Sequence, residues 1–284
     1  MKLAAFFLAG ALFAQETTTR QLWTTFQQQR PAKPAGAAGT KAPEPRYRPT
    51  SVSAQPATPL SPDDLVLGVT LWRMREPRNP GERLLVLPAR KKGDRDLVPE
   101  RVSIESPVAA GERVRITLEI PRSGYLYIVD QEKYADGTLG EPYLIYPNWQ
   151  VRPGENLVGP GRTMEIPDRR EDPNYFEVVP SRTNQVAEVL SVLIAPQPLP
   201  GLTIGEQPLK LTPKQFGDWQ KYKSEPQKFE LQSAQGQAWT QAEMAAGAGG
   251  KLSQSDAMPQ HLYRCPGHAG EPLLVNLPIQ IQRK

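Results

Sequence analysis

From Leu65 onward the chain breaks into short runs of β-branched, aliphatic and aromatic residues bounded by Pro, Gly and Asp, a pattern that predicts strands joined by tight turns. The predicted strands are Leu65 to Trp72, Arg83 to Leu87, Arg101 to Glu105, Arg113 to Ile120, Tyr125 to Asp130, Tyr143 to Tyr146, Arg162 to Ile166, Tyr175 to Val179 and Val186 to Ile194. In Arg113 to Ile120 the apolar Val114, Ile116, Leu118 and Ile120 alternate with Arg113, Arg115, Thr117 and Glu119, which predicts one buried face and one wet face. Asp136 and Gly137 stand where a hairpin turn falls, the glycine supplying the positive φ that other residues resist. Short strands with no helix between them imply an all-β fold, an antiparallel β-sandwich.

Past Pro200 the period changes. Thr212 and Gln215 have capping-box spacing, Pro213 sits at the first helical position, and Leu211 and Phe216 occupy the staple positions. With Phe216, Trp219 and Tyr222 recurring at threes, one short C-terminal amphipathic helix is predicted, its aromatic face packed on the sandwich. Ser224 to Met258 is rich in Gln, Ala and Gly and reads as a poorly specified insertion. Leu273 to Ile281 contains Pro278, which suits an edge strand closing the domain.

The N-terminal quarter has a different texture. Lys2, an apolar run from Leu3 to Phe13 and the small Ala14 form a secretory signal peptide over residues 1–14. Residues 15–62 then read as a disordered spacer: eight prolines lie between Pro31 and Pro62, and no helical or alternating period appears. The predicted division is therefore signal peptide 1–14, spacer 15–62, β-sandwich core 63–197 and C-terminal extension 198–284, in a bacterial periplasmic or secreted protein. Set aside the signal, and no apolar stretch reaches the length of a membrane span.

The net charge of +4 loses its suggestion of nucleic-acid binding once it is located. Residues 15–62 carry a net +4, whereas residues 63–284 carry 27 basic and 28 acidic side chains, so the folded part is nearly neutral and no nucleic-acid partner is expected. A single cysteine excludes a disulfide framework. No cofactor is implied either: Gly247, Gly249 and Gly250 lack the strand and spacing of a dinucleotide fingerprint, and no serine lies in a nucleophile elbow.

Two groups of residues have the chemistry for a site. His261, Cys265 and His268 fall within eight residues and are candidate metal ligands. Asp130, Asp136 and Asn148, near one hairpin, are candidate oxygens around a cation or polar ligand.

Gly124, Tyr125, Leu126 and Tyr127, the Asp136–Gly137 turn, Tyr146, Pro147 and Asn148, a loop with Asn156 and Gly159, and Glu165, Ile166 and Pro167 follow in order. This series resembles a bacterial family with a domain of unknown function, seen in exported proteins and beside caspase-like peptidase or protein kinase domains. The resemblance covers roughly residues 63–197 and implies a β-sandwich accessory or sensing module. The expected function is an exported, non-catalytic module binding a protein, peptide or cell-envelope component. The alternative is a small metal-dependent or carboxylate-dependent hydrolase.

Overall fold

A computed structural model describes residues 19–32, 46–48, 61, 63–89, 95–149, 155–232, 235–268 and 270–282. The expected signal peptide lies outside the described residues, as does most of the expected spacer. The described part is an antiparallel β-sandwich.

The first sheet runs in the order β1 (Arg46–Arg48), β12 (Gln227–Gln232), β13 (His261–Cys265), β2 (Leu65–Arg75), β4 (Arg113–Glu119), β8 (Thr163–Ile166). On its margins β3 (Val98–Val102) pairs with β2 and β9 (Phe176–Glu177) with β4. The second sheet runs β11 (Leu209–Lys210), β6 (Tyr143–Tyr146), β5 (Gly124–Tyr134), β10 (Gln185–Ala195), β14 (Leu273–Gln280), and β7 (Leu157–Val158) pairs with β5. Alternation decides what faces inward. Leu65, Leu67, Val69 and Leu71 of β2 and Val114, Ile116 and Leu118 of β4 meet Leu126 and Ile128 of β5, Leu190, Val192 and Ile194 of β10, and Leu273, Val275 and Leu277 of β14. All are buried, so this apolar layer supplies the main driving force for closing the sandwich.

Helices cover parts of both outer faces, among the described residues three short ones. On the second sheet, α2 (Pro213–Gln220) starts at the capping box of Thr212 and Gln215 and lays Phe216 and Trp219 over Tyr127, Val129, Leu193 and Leu274. Phe216 and Trp219 are thus packed on the sandwich as the spacing predicts, whereas Tyr222 lies beyond the helix and is exposed. On the first sheet, α1 (residues 19–28) buries Leu22, Trp23 and Phe26 against Val66, Leu231, Leu262 and Met258. The approach is close: a Cβ at Gly68 would lie 2.9 Å from Cζ of Phe26, so the glycine makes room for the helix. α3 (Gln241–Gly247) starts at a second capping box, Thr240 with Glu243, and sits beside β8.

Several expectations need correction. A spacer spanning 15–62 does not hold, because residues 19–32 form the docked α1 and its C-terminal turn; the apolar triad Leu22, Trp23, Phe26 finds its partner on a sheet far along the chain. Ser224 to Met258 is not an unspecified insertion but carries β12 and α3, stapled by Trp239, whose Nε1 donates to the Leu85 carbonyl at 2.6 Å. Arg83 to Leu87 is no strand: Asn79 Oδ1 accepts from the Glu82 amide at 3.1 Å and starts a 3-10 turn over Glu82–Leu85. Finally, the polar face of β4 is not wet. Arg115 and Glu119 are buried.

That face is neutralised by pairing. Arg30 forks onto Glu119, Arg101 pairs with Glu243, and Arg115 meets Glu165 at 2.9 Å, which Arg169 also reaches at 2.6 Å. The planar guanidiniums lie over indoles, Arg101 4.9 Å from the Trp72 centroid and Arg115 5.9 Å from that of Trp239. Buried charges persist only when paired and hydrogen-bonded; Arg30, Glu243 and Arg169 tie the first sheet to the end of α1, to α3 and to the loop after β8, while Arg115 and Glu165 join β4 to β8 within it. Among the described residues no helix is long and apolar enough to cross a membrane.

Candidate functional site

The structure separates the residues expected to act together. His261 is fully buried on β13, and neither ring nitrogen has a hydrogen-bond partner. Cys265 is also buried and its Sγ donates to the Tyr263 carbonyl at 3.5 Å, while His268 is exposed in the loop beyond the strand. Burial lowers His261 to about 3 and pushes the Cys265 thiol up. Both are thereby held neutral, as core side chains rather than a joint ligand set. Among the described residues no three or more His, Cys, Asp or Glu side chains are arranged to hold a metal ion.

Asp130, Asp136 and Asn148 are likewise distributed. Asp136 caps its own turn, accepting from the Thr138 amide at 2.9 Å and hydroxyl at 2.7 Å, and these bonds hold its carboxyl below the ordinary value. Gly137 follows at φ +85°. The register sets Asp130 opposite Tyr143 at one end of β6, whereas Asn148 follows Tyr146 at the other end.

Two concave regions result. At the Asn148 end, the Tyr-Pro-Asn and Glu-Ile-Pro segments, from different sheets, converge on a pocket of about 120 Å³. Ile145, Pro147, Ile166 and Phe176 furnish apolar wall, and Trp149 stands at 55 % exposure on its margin. Glu171 and Glu206 are the acids of this pocket; burial pushes the Glu171 carboxyl up although the Asp168 amide donates to it at 2.6 Å.

At the Asp130 end lies a wider, polar cleft of about 770 Å³. Its wall carries Asp130 and Glu132 of β5 and Glu188 of β10. These three were not all legible in advance, yet a signal existed. Glu188 precedes core positions Leu190, Val192 and Ile194 at the same parity, and Asp130 and Glu132 follow Leu126 and Ile128 at theirs, so acids stand on the inward parity of two neighbouring strands. Burial first, and repulsion by Glu132, push Asp130 up; burial and Asp130 push Glu188 up further. Such a pair shares a proton over a pH range where isolated carboxyls are ionised.

An antiparallel sandwich with helices on its outer faces defines a class of domain, not an activity. Residues 108–191 match a family described as a domain of unknown function (DUF4384), a stretch that runs from before β4 into the middle of β10 and contributes residues to both concave regions. No curated protein and no solved structure matches the chain.

Proposed function

We propose that this chain is an exported β-sandwich module that works by binding a protein, peptide or cell-envelope component, without catalysing a reaction. The observation that carries the reading is Trp149. A large indole exposed beside a preformed apolar pocket offers contact area with little ordering cost, the anchor that binding surfaces favour. The export signal at residues 1–14 supports a periplasmic or secreted location, and cleavage after Ala14 leaves the described helix α1 whole.

A photo-cross-linking amino acid at position 149 tests this, with position 179 as control, since Val179 is 70 % exposed but does not line the pocket. Cross-links to one envelope component from position 149 and not from 179 are expected. Equal yields from both positions would defeat the reading. Intact mass of protein recovered from the periplasm, expected to begin at Gln15, tests the location.

The metal-dependent alternative has no converging ligand set among the described residues behind it. A carboxylate-dependent hydrolase is favoured by one observation, the proton-sharing pair Asp130 and Glu188 in an open cleft. Turnover of a peptide or glycoside substrate that disappears in Asp130→Asn would establish it.

A further inference from the structure

The cleft at the Asp130 end breaks a rule of sheet building. In the β5–β10 register Glu188 lies directly opposite Glu132, and Asp130 sits one inward position along. Like charges set opposite each other destabilise a sheet, so this arrangement costs folding energy. The cost is not offset locally. Glu132 accepts from the Tyr134 hydroxyl and Glu188 from Gln185 Nε2 at 2.6 Å, but Asp130 Oδ1 and Glu188 Oε2 are buried with no donor beyond the proton the two carboxyls share. Glu141, on the rim, is already engaged by Lys210 at 3.4 Å.

One cation of the chain does reach the cleft. The Arg182 guanidinium lies 4.8 Å from the centroid of the Tyr134 ring, stacked on an aromatic face whose hydroxyl is bonded to Glu132. The protein thus exhibits, within itself, the ligand chemistry the cleft accepts: a planar cation on the tyrosine with carboxylates beside it. Three carboxyl groups, two of them sharing a proton, against one guanidinium leave the cleft with net negative charge for a bound cation. A bare metal ion is the wrong guest for a cleft of about 770 Å³ whose carboxylates do not form a metal-holding group.

We propose that this cleft binds an alkylammonium or guanidinium cation, with Asp130, Glu132 and Glu188 as its counter-charge and the Tyr134 ring as the face on which it stacks in place of Arg182. The site is separate from the pocket beside Trp149 and stands or falls independently of it. Two sources supply such a cation, a basic peptide segment and a free polyamine.

Calorimetric titration of the full chain with an Arg-Lys tetrapeptide and, separately, with spermidine tests the site. Binding of at least one at low salt is expected, weakened at least about tenfold in Glu132→Gln and Glu188→Gln, the loss of one hydrogen bond to a charged group. Arg182→Ala is expected to bind about threefold more tightly, because it vacates the ring face. Arg95→Ala, which removes an exposed arginine paired with Glu76, should bind like the parent. Affinity should fall as pH is lowered from about 8 to about 5, as Glu188 and Asp130 gain protons; the other ionisable groups facing them across the cleft are Glu132, Tyr134, Glu141, Tyr143 and Arg182. Thermal unfolding of each variant confirms that it is folded. The proposal is overturned if neither probe binds, if the two Gln variants bind as the parent does, or if Arg182→Ala is no different from Arg95→Ala.

Discussion

Arg30 and Glu119, 89 residues apart, meet in a two-pronged ion pair: Nε and Nη2 of the arginine donate to the two carboxylate oxygens at 2.7 Å each. Arg30 also donates to the carbonyls of Asp256 and Ala257, at 3.1 and 3.0 Å, and lies 5.3 Å from the centroid of Trp23. One side chain therefore joins the end of α1, strand β4 and the loop before β13.

Glu119→Ala strands a buried guanidinium and is expected to destabilise the domain by about 3–5 kcal/mol, read from chemical denaturation. Replacing both partners with apolar residues should cost much less, because no charge is then left unpaired. Docking of α1 should protect the peptide bonds after the buried Trp23 and Phe26 from chymotrypsin as well as bonds within the strands are protected. Rapid cleavage there would mean that α1 does not dock in solution.

Two groups give stability opposite slopes with pH. His261 takes up a proton in the unfolded chain near its ordinary value of about 6.5 but in the fold only near 3, so its contribution is lost as pH falls through that interval. Asp130 and Glu188 are raised in the fold, so the folded state holds the extra proton and stability declines as pH rises above the ordinary carboxylate range. The melting temperature should therefore drop less on acidification in His261→Leu than in the parent, and drop less toward alkaline pH in Glu188→Gln. Parallel curves for parent and variants would contradict the assignments.

Both capping boxes should be measurable. In α2 the Thr212 hydroxyl accepts from the Gln215 amide at 3.2 Å, and Gln215 Oε1 accepts from the Thr212 amide at 3.0 Å. Thr212→Ala and Thr240→Ala are each expected to cost about 0.5–2 kcal/mol in urea unfolding. Glu243→Ala should cost more, about 3–5 kcal/mol, since that carboxylate both caps α3 and neutralises the buried Arg101.

Two helical glycines should respond with opposite signs. At Gly217 of α2 an added Cβ meets nothing within 4 Å, and alanine there should stabilise by about 0.5–1 kcal/mol. At Gly247 of α3 an added Cβ would overlap Glu165 Oε1 and Arg169 Nη2. Gly247→Ala should lower the melting temperature by displacing α3 from that ion pair.

The amino-acid sequence by itself determined the features that rest on local periodicity and local bonding. The strand Leu65 to Trp72 and the closing strand over Leu273–Gln280 were legible from their composition and bounds, and the inward row Val114 to Leu118 because a strand alternates every residue. The α2 start was legible because a cap and its partner are three residues apart. Tertiary structure alone decided which polar residues are buried. Arg115 and Glu119 read as a wet face until Glu165 and Arg30, remote in the chain, arrive to neutralise them. Nearness along the chain misled in the same way for His261, Cys265 and His268, because strand geometry seats the first two in the core and leaves the third outside. It also hid the pairing of Asp130 with Glu188, which depends on a register between strands nearly sixty residues apart. Periodicity reports which side of its own element a residue occupies. What lies across from that side is set by packing, and for charged groups in a poorly solvated interior that partner decides between a structural pair and a site.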